Sequence, residues 1–371
     1  MAQYGGLGGL GGLGGLGGLG GLGGLGGLGG SGLGDFFQAG AVGQYDGLTA
    51  LGLQTTAEGI AHVVDDLAPA PDPTHLPPNS KENMARSADW VRGSLYMTDF
   101  VKGLDINVAG GVTSIGFDNA NLVAITRPSA ELTGQQAEFV RDYADLRADR
   151  GAEIQSQLGF PQAYFGMIMA LHPAQNKYTL ELMTTVQLMS AHVAMMAKHA
   201  LAIRRPDQVD TRILPMIATP GHGAFPSAHA TEAYAVAAVM IELIKEWGSH
   251  ADQDGRITML RKLAERITVN RTVAGVHYPM DSYAGASLGQ AVAGAILSRC
   301  GVAHTAKQVS YSPTNTDFVG TDFDHMIDGT AVSTDYGIHV GGAVTGGQSD
   351  LYKWLWDKAV AEGHSPASGG V

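Results

Sequence analysis

Three stretches in the middle of this chain are apolar on nearly every helical face, and nothing else in the sequence constrains the fold as much. They read NKYTLELMTTVQLMSAHVAMMAKHALAIRRP, PSAHATEAYAVAAVMIELIKEWG and YPMDSYAGASLGQAVAGAILSRCG. A helix that is hydrophobic all round has to be covered by its neighbours. Ala, Met and Leu dominate these stretches and alternating β-branched runs are scarce, so the sequence predicts a bundle of buried helices over residues 131–308. More polar segments flank them: SAELTGQQAEFVRDYADLRADRGAEIQSQLG, entered through a capping region at Ser129 to Glu131, and GRITMLRKLAERITVNRTVAG. FPQAYFGMIMALHP reads as a short helix bounded by prolines. Residues 36–130 are expected to be mixed helices and loops of the same domain, with Pro-rich LAPAPDPTHLPP at 67–78 as a loop. Residues 309–371 read as loops with a closing helix at SDLYKWLWDKAVAEG. The expected fold class is therefore all-α, a helical bundle with loop-rich N- and C-terminal segments.

Residues 1–35 form a low-complexity leader in which eight Gly-Gly-Leu copies occupy positions 5–28. Glycine loses the most entropy on ordering, so a flexible leader is the plain reading. A period of three also matches an extended threefold helix with every Leu along one edge, a shape that could assemble into a homo-oligomer. A net charge of −12 argues against nucleic acid as a partner, because phosphate contacts need clustered Lys and Arg. Cys300 is the single cysteine, which excludes an intramolecular disulfide and a cysteine-based zinc site. No basic stretch followed by an apolar run suggests a signal peptide, and no uninterrupted apolar run suggests a membrane span. A soluble protein is expected, either cytoplasmic or exported by a non-classical route.

Chemistry concentrates in three short blocks. Lys198 and Arg205 are seven positions apart, which on one helix places them within about 20° of each other and roughly 10 Å apart along the axis. Pro206 is expected to end that helix. In the second block, GHGAFPSAHATEAYA at 221–235, Pro226 suits a first helical turn. Ser227, Ala228 and His229 would then lie where free N–H groups and the helix dipole attract anions. His229 titrates near neutral pH and could exchange a proton with a bound oxyanion. In the third block, NRTVAGVHYPMD at 270–281, Arg271 precedes a Gly-containing turn, and Pro279 starts a helix whose first turn holds Asp281. Asp281 follows His277 by four positions, close enough to accept one imidazole N–H and make the other nitrogen more basic. Taken singly, each block has a bland reading as a cap or a snorkelling cation. Together they supply three cations, two histidines, a serine and an orienting carboxylate, the inventory of a pocket for a tetrahedral oxyanion. A divalent-cation site built from His222, His229, His277 and Asp281 is disfavoured, because three positive charges would surround the metal.

The order and internal spacing of these blocks, in KHALAIRRP, PSAHA and RTVAGVHYPMD, resemble the superfamily of type 2 phosphatidic acid phosphatases and vanadium-dependent haloperoxidases. The resemblance spans roughly residues 136–300 and implies that superfamily's helical bundle. By resemblance, Lys198, Arg205, Ser227, the Ala228 amide and Arg271 bind the oxyanion, and His229 is the acid–base group. His277 is the vanadium ligand in a peroxidase or the nucleophile in a phosphatase, with Asp281 behind it. Ala228 stands where the family usually has Gly, and Asn270 where Ser is more frequent. The segments AGVHY and RADR (147–150) look more like the haloperoxidases. The favoured expectation is thus a vanadate-dependent haloperoxidase acting on hydrogen peroxide, a halide and small organic acceptors, with phosphate able to occupy the same site. His222, five positions before Ser227, is the candidate for halide selectivity and points to bromide. A soluble acid phosphatase with a phosphohistidine intermediate is the alternative, and an assembly-forming scaffold with a relict site is another.

Overall fold

In the computed structural model, residues 51–52, 54–60, 75–303, 306–330, 334–344 and 346–363 are described. The Gly-Gly-Leu repeat lies outside them. Helices α1 (Lys81–Arg86) and α2 (Asp89–Gly103) lead into strands β1 (Leu104–Ala109), β2 (Val112–Phe117) and β3 (Ala120–Thr126). Helices α3 (Ala130–Asp142), α4 (Arg147–Ser156) and α5 (Gln162–Met169) follow. Next come the long α6 (Lys177–Leu201), the single turn α7 (Pro206–Val209), α8 (Ala228–Trp247), α9 (Gln253–Val273) and α10 (Pro279–Arg299). Strand β4 (Ala306–Tyr311), helix α11 (Gly320–Asp328), strand β5 (Ile338–Val344) and helix α12 (Asp350–Gly363) complete the order.

The expected all-α class needs correcting. The chain is mostly helical, but the five strands form one sheet in the order β1-β2-β3-β4-β5. Its hairpins turn on pairs of residues with positive φ, Gly110-Gly111 and Asp118-Asn119, types that enter the left-handed region at low cost. β3 and β4 pair in parallel, Val123 opposite Val309 and Ile125 opposite Tyr311. The segments before and after the bundle therefore share one sheet, which packs on α10. Where isolated loops were expected, the buried faces of Val123, Ile125, Val309 and Tyr311 cover the bundle core.

α8 and α10 are buried almost throughout, as their apolar sequences require. Their approach depends on glycine. A Cβ on Gly285 would stand 2.4 Å from the Ser227 carbonyl oxygen, and one on Gly289 would stand 2.6 Å from that of Thr231. Real side chains do not tolerate such contacts, so these two positions let the helices nearly touch at their N-terminal ends. The same closeness allows the Ser227 amide to donate to the Asp281 carbonyl at 2.9 Å. Gln136 of α3 holds α10 from the other side, accepting the Met280 amide at 2.9 Å.

Candidate active site

Each candidate residue sits at a helix end or in a turn, and the helix ends meet. α6 stops earlier than expected: Ala202 takes a left-handed conformation (φ 52°) and its amide donates to the Lys198 carbonyl. Lys198 and Arg205 are thus not on one helix face. Pro206 does not end α6 but opens α7 at its first position, with Arg205 as N-cap. Pro206 disfavours helical backbone in the residue before it, and a seven-residue helical projection across that break does not apply. The two cations still converge, because the connection folds back. Ser227 is the N-cap of α8, its hydroxyl accepting from the Ala230 amide at 3.4 Å, so Pro226 precedes the cap and lies outside the first turn where it was expected. Asp281 lies in the first turn of α10, which Pro279 starts, as the sequence indicated.

The His277 imidazole is buried and held at both ends. Its Nδ1 lies 2.8 Å from Asp281 Oδ2, which also accepts the Tyr278 amide at 3.0 Å. Its Nε2 lies 2.9 Å from Arg205 Nη1. A guanidinium can only donate, so Nε2 carries the lone pair and Nδ1 the proton. Arg205 is further fixed by the carbonyls of His222 (2.9 Å) and Val276 (2.7 Å), and its Nη2 lies 3.0 Å from His222 Nδ1. Lys198 donates to the carbonyls of Gly223 and Ala224 at 2.8 and 2.7 Å. Arg271 donates to the main-chain oxygen of Gln157 at 3.3 Å and to its side-chain oxygen at 3.1 Å, while its Nε is buried with no partner among the described residues. His229 Nε2 lies 3.0 Å from the same Gln157 carbonyl. All seven predicted side chains, from Lys198 to Asp281, are thus buried, and His222 borders them half-buried.

The electrostatics show a surplus of positive charge. Burial, then the neighbouring Arg205, pulls Lys198 well below its usual range, and burial lowers Arg205 and Arg271 to about 10. Burial pushes the Asp281 carboxyl up to about 7, against the pull of Lys198, the Tyr278 amide and Arg205. Both histidines are held neutral: burial comes first, followed by Arg271 for His229 and Arg205 for His277. Lys198 and Arg205 act on both rings, so the cations and imidazoles form one electrostatic unit.

A pH dependence follows with a definite sign. Each histidine binds its proton less readily folded than unfolded, so its stabilising effect is complete above about 6.5 and is lost as pH falls. Asp281 has the opposite sign, its stabilisation growing as pH falls from 7, and it offsets part of this loss. Glu232 and Asp324, whose carboxyls burial also raises, act in the same direction as Asp281, so the histidine contribution is read as a difference: between pH 7 and 5 the melting temperature of His229→Asn is expected to move upward relative to wild type. Thermal melts of both proteins at the two pH values test this, and parallel slopes would remove His229 from the account.

Sequence reasoning missed two supports. Gln157, the C-cap of α4, is fully buried and touches His229, Arg271 and Asn270. Asn270, noted only as a departure from the family pattern, ties α9 to α4 by donating to Glu153 (2.8 Å) and Gln157 (3.0 Å). A buried amide beside Arg271 was the available signal for Asn270. None marked Gln157.

Residues 179–301, which contain all three blocks, match the PAP2 superfamily. The chain carries a PAP2 domain. That superfamily includes the vanadium haloperoxidases. No curated protein matches the chain. Among solved structures it is similar to a transmembrane PAP2 type phosphatidylglycerolphosphate phosphatase from Bacillus subtilis, at 19% identity and a TM-score of 0.36, over 44% of this chain and 83% of that one. Among the described residues, no helix is long and apolar enough to cross a membrane.

Proposed function

We propose that the PAP2 domain hydrolyses phosphate monoesters through a phosphohistidine at His277. The observation that carries this reading is the state of His277: its Nδ1–H donates to Asp281, and its bare Nε2 faces Arg205 in a buried cluster with surplus positive charge. A phosphoryl group would bring the negative charge that Lys198, Arg205 and Arg271 lack, and neutralising it there is the main source of rate acceleration. The Ser227 hydroxyl and the Ala228 amide, at the start of α8, add uncharged donors. His277 Nε2 attacks phosphorus, the alcohol oxygen departs with a proton from His229, and water taken up by His229 then hydrolyses the phosphohistidine. This is a change of emphasis from the peroxidase expectation, since the superfamily match favours phosphoryl chemistry. Purified protein is expected to hydrolyse p-nitrophenyl phosphate and to yield an acid-labile, base-stable phosphohistidine on rapid quenching. Absence of both would refute the reading.

A second reading uses the same residues. Vanadate has the shape and charge of phosphate, and an Arg271 Nε with no partner among the described residues, together with bare His277 Nε2, fits such a group. Bound there, vanadate would supply Lewis-acid activation of hydrogen peroxide for halide oxidation. His222 Nδ1, 3.0 Å from Arg205 Nη2, would tune that arginine in this reading and with it a preference for bromide. Under either reading, inorganic phosphate and vanadate are expected to raise the melting temperature and to compete with each other. Bromination of a phenolic dye by the vanadate-loaded protein, measured beside phosphatase activity of the vanadate-free protein, separates the two. The Gly-Gly-Leu leader as an oligomerising element is tested by the particle mass of a chain lacking residues 5–31.

A further inference from the structure

One residue outside the PAP2 match bridges His229 and Arg271 in the candidate site. Gln157 follows the last turn of α4 with φ −103° and ψ 17°, which leaves its carbonyl free of the helix ladder. The free C-terminal carbonyls of a helix carry partial negative charge, so this end suits cationic neighbours. The carbonyl takes His229 Nε2 at 3.0 Å and Arg271 Nη1 at 3.3 Å. The side-chain oxygen takes Arg271 Nη2 at 3.1 Å and Asn270 Nδ2 at 3.0 Å, and the side-chain nitrogen donates to Glu153 at 3.2 Å. Both polar atoms of this side chain are therefore committed, and three bonds of the residue hold site residues, one to His229 and two to Arg271.

A carbonyl oxygen has no proton to give, so His229 Nε2 carries the hydrogen of that contact. A neutral imidazole has one N–H, and its Nδ1 is then the bare nitrogen. We infer that the Gln157 main chain fixes His229 as the Nε2–H tautomer, making Nδ1 the atom that exchanges protons at the bound oxyanion, and that the Gln157 side chain positions Arg271 for that anion. The inference rests on the oxyanion-pocket reading for its functional part. The two site histidines then work in opposite tautomers. His277 is oriented by a carboxylate and presents Nε2, whereas His229 is oriented by a main-chain oxygen and presents Nδ1. The difference suits the roles: a carboxylate partner strengthens a nucleophile, while a neutral carbonyl orients the ring and leaves it a ready proton donor once charged. Gln157 is a positioning residue in this scheme, and it touches no reacting atom.

The tautomer can be read directly. Full-length protein labelled with ¹⁵N-histidine gives long-range ¹⁵N–¹H correlations that distinguish protonated from bare ring nitrogens, and a His229→Asn sample assigns the signal. At a pH above the ring's titration, His229 is expected to show a protonated Nε2 and a bare Nδ1, with His277 reversed. A proton on His229 Nδ1 would overturn the inference whatever the protein binds. Gln157→Met keeps the main-chain carbonyl and the side-chain bulk but loses the oxygen that holds Arg271. Calorimetric titration with inorganic phosphate should show affinity weakened about tenfold or more, as for loss of a bond to a charged group, with the His229 tautomer unchanged. Unaltered phosphate affinity would remove the Arg271 half. Wild-type protein that binds no phosphate would instead refute the pocket reading, while the tautomer result stands by itself.

Discussion

Alanine in place of His277 is expected to lower phosphomonoester turnover on the order of 10⁴-fold or more, the scale seen when a nucleophile is removed from a preorganised site. The melting temperature should not fall in proportion. His277 is buried beside Arg205 and Lys198, and removing its ring leaves Asp281 Oδ2 still bonded to the Tyr278 amide at 3.0 Å. Asp281→Asn makes the companion test. An amide in that position can offer its NH₂ group to Nδ1, which would place the imidazole proton on Nε2, the nitrogen that has to attack. Activity should fall by a comparable order even though the ring remains in place. A His277→Ala protein that keeps wild-type turnover would end the phosphohistidine mechanism, and an Asp281→Asn protein with full activity would show that the tautomer of His277 is not at issue.

The second large effect is on stability. Gly285→Ala is expected to destabilise the protein by about 3 kcal/mol, at the upper end of the overpacking range. The added methyl would meet the Ser227 carbonyl oxygen at 2.4 Å and the Ala230 Cβ at 2.7 Å. The first of these is main chain at the cap of α8, so relief means separating α8 from α10. That separation would also lengthen the bond between the Ser227 amide and the Asp281 carbonyl, and activity should decline along with stability. Gly134→Ala is the control, since nothing lies within 4 Å of a Cβ there and the position is mid-helix. It should stabilise by about 0.5–1 kcal/mol. Urea denaturation of the two variants measures both signs, and a Gly285→Ala protein as stable as wild type would contradict the packing account.

The helical core was legible because its signal is bulk chemistry: stretches apolar on all sides have nowhere to go but inside, and α6, α8 and α10 are there. The gathering of the candidate residues was legible for a different reason. Their side chains are chemically costly to bury, and His277 with Asp281 four positions on is a local geometry that a first helical turn dictates. What failed was geometry that depends on where a helix stops. Ala202, an ordinary helix former, turns left-handed and ends α6, so the projected face shared by Lys198 and Arg205 does not exist although the two charges meet. The sheet was missed because its strands are short and only the turn pairs at Gly110-Gly111 and Asp118-Asn119 announce them. Gln157 could not be found by residue type at all, because its contact with His229 runs through a main-chain oxygen that every amino acid possesses.

The parallel pairing of β3 with β4 has a consequence for how the molecule is made. During synthesis β3 leaves the ribosome long before β4 exists, and everything from α3 to α10 has to be translated between them. Until then β3 presents an unclaimed edge to whatever strand is nearby, including those of neighbouring nascent chains. Closure of the sheet is therefore a late event that registers completion of the bundle, and slow or interrupted translation should expose this edge first.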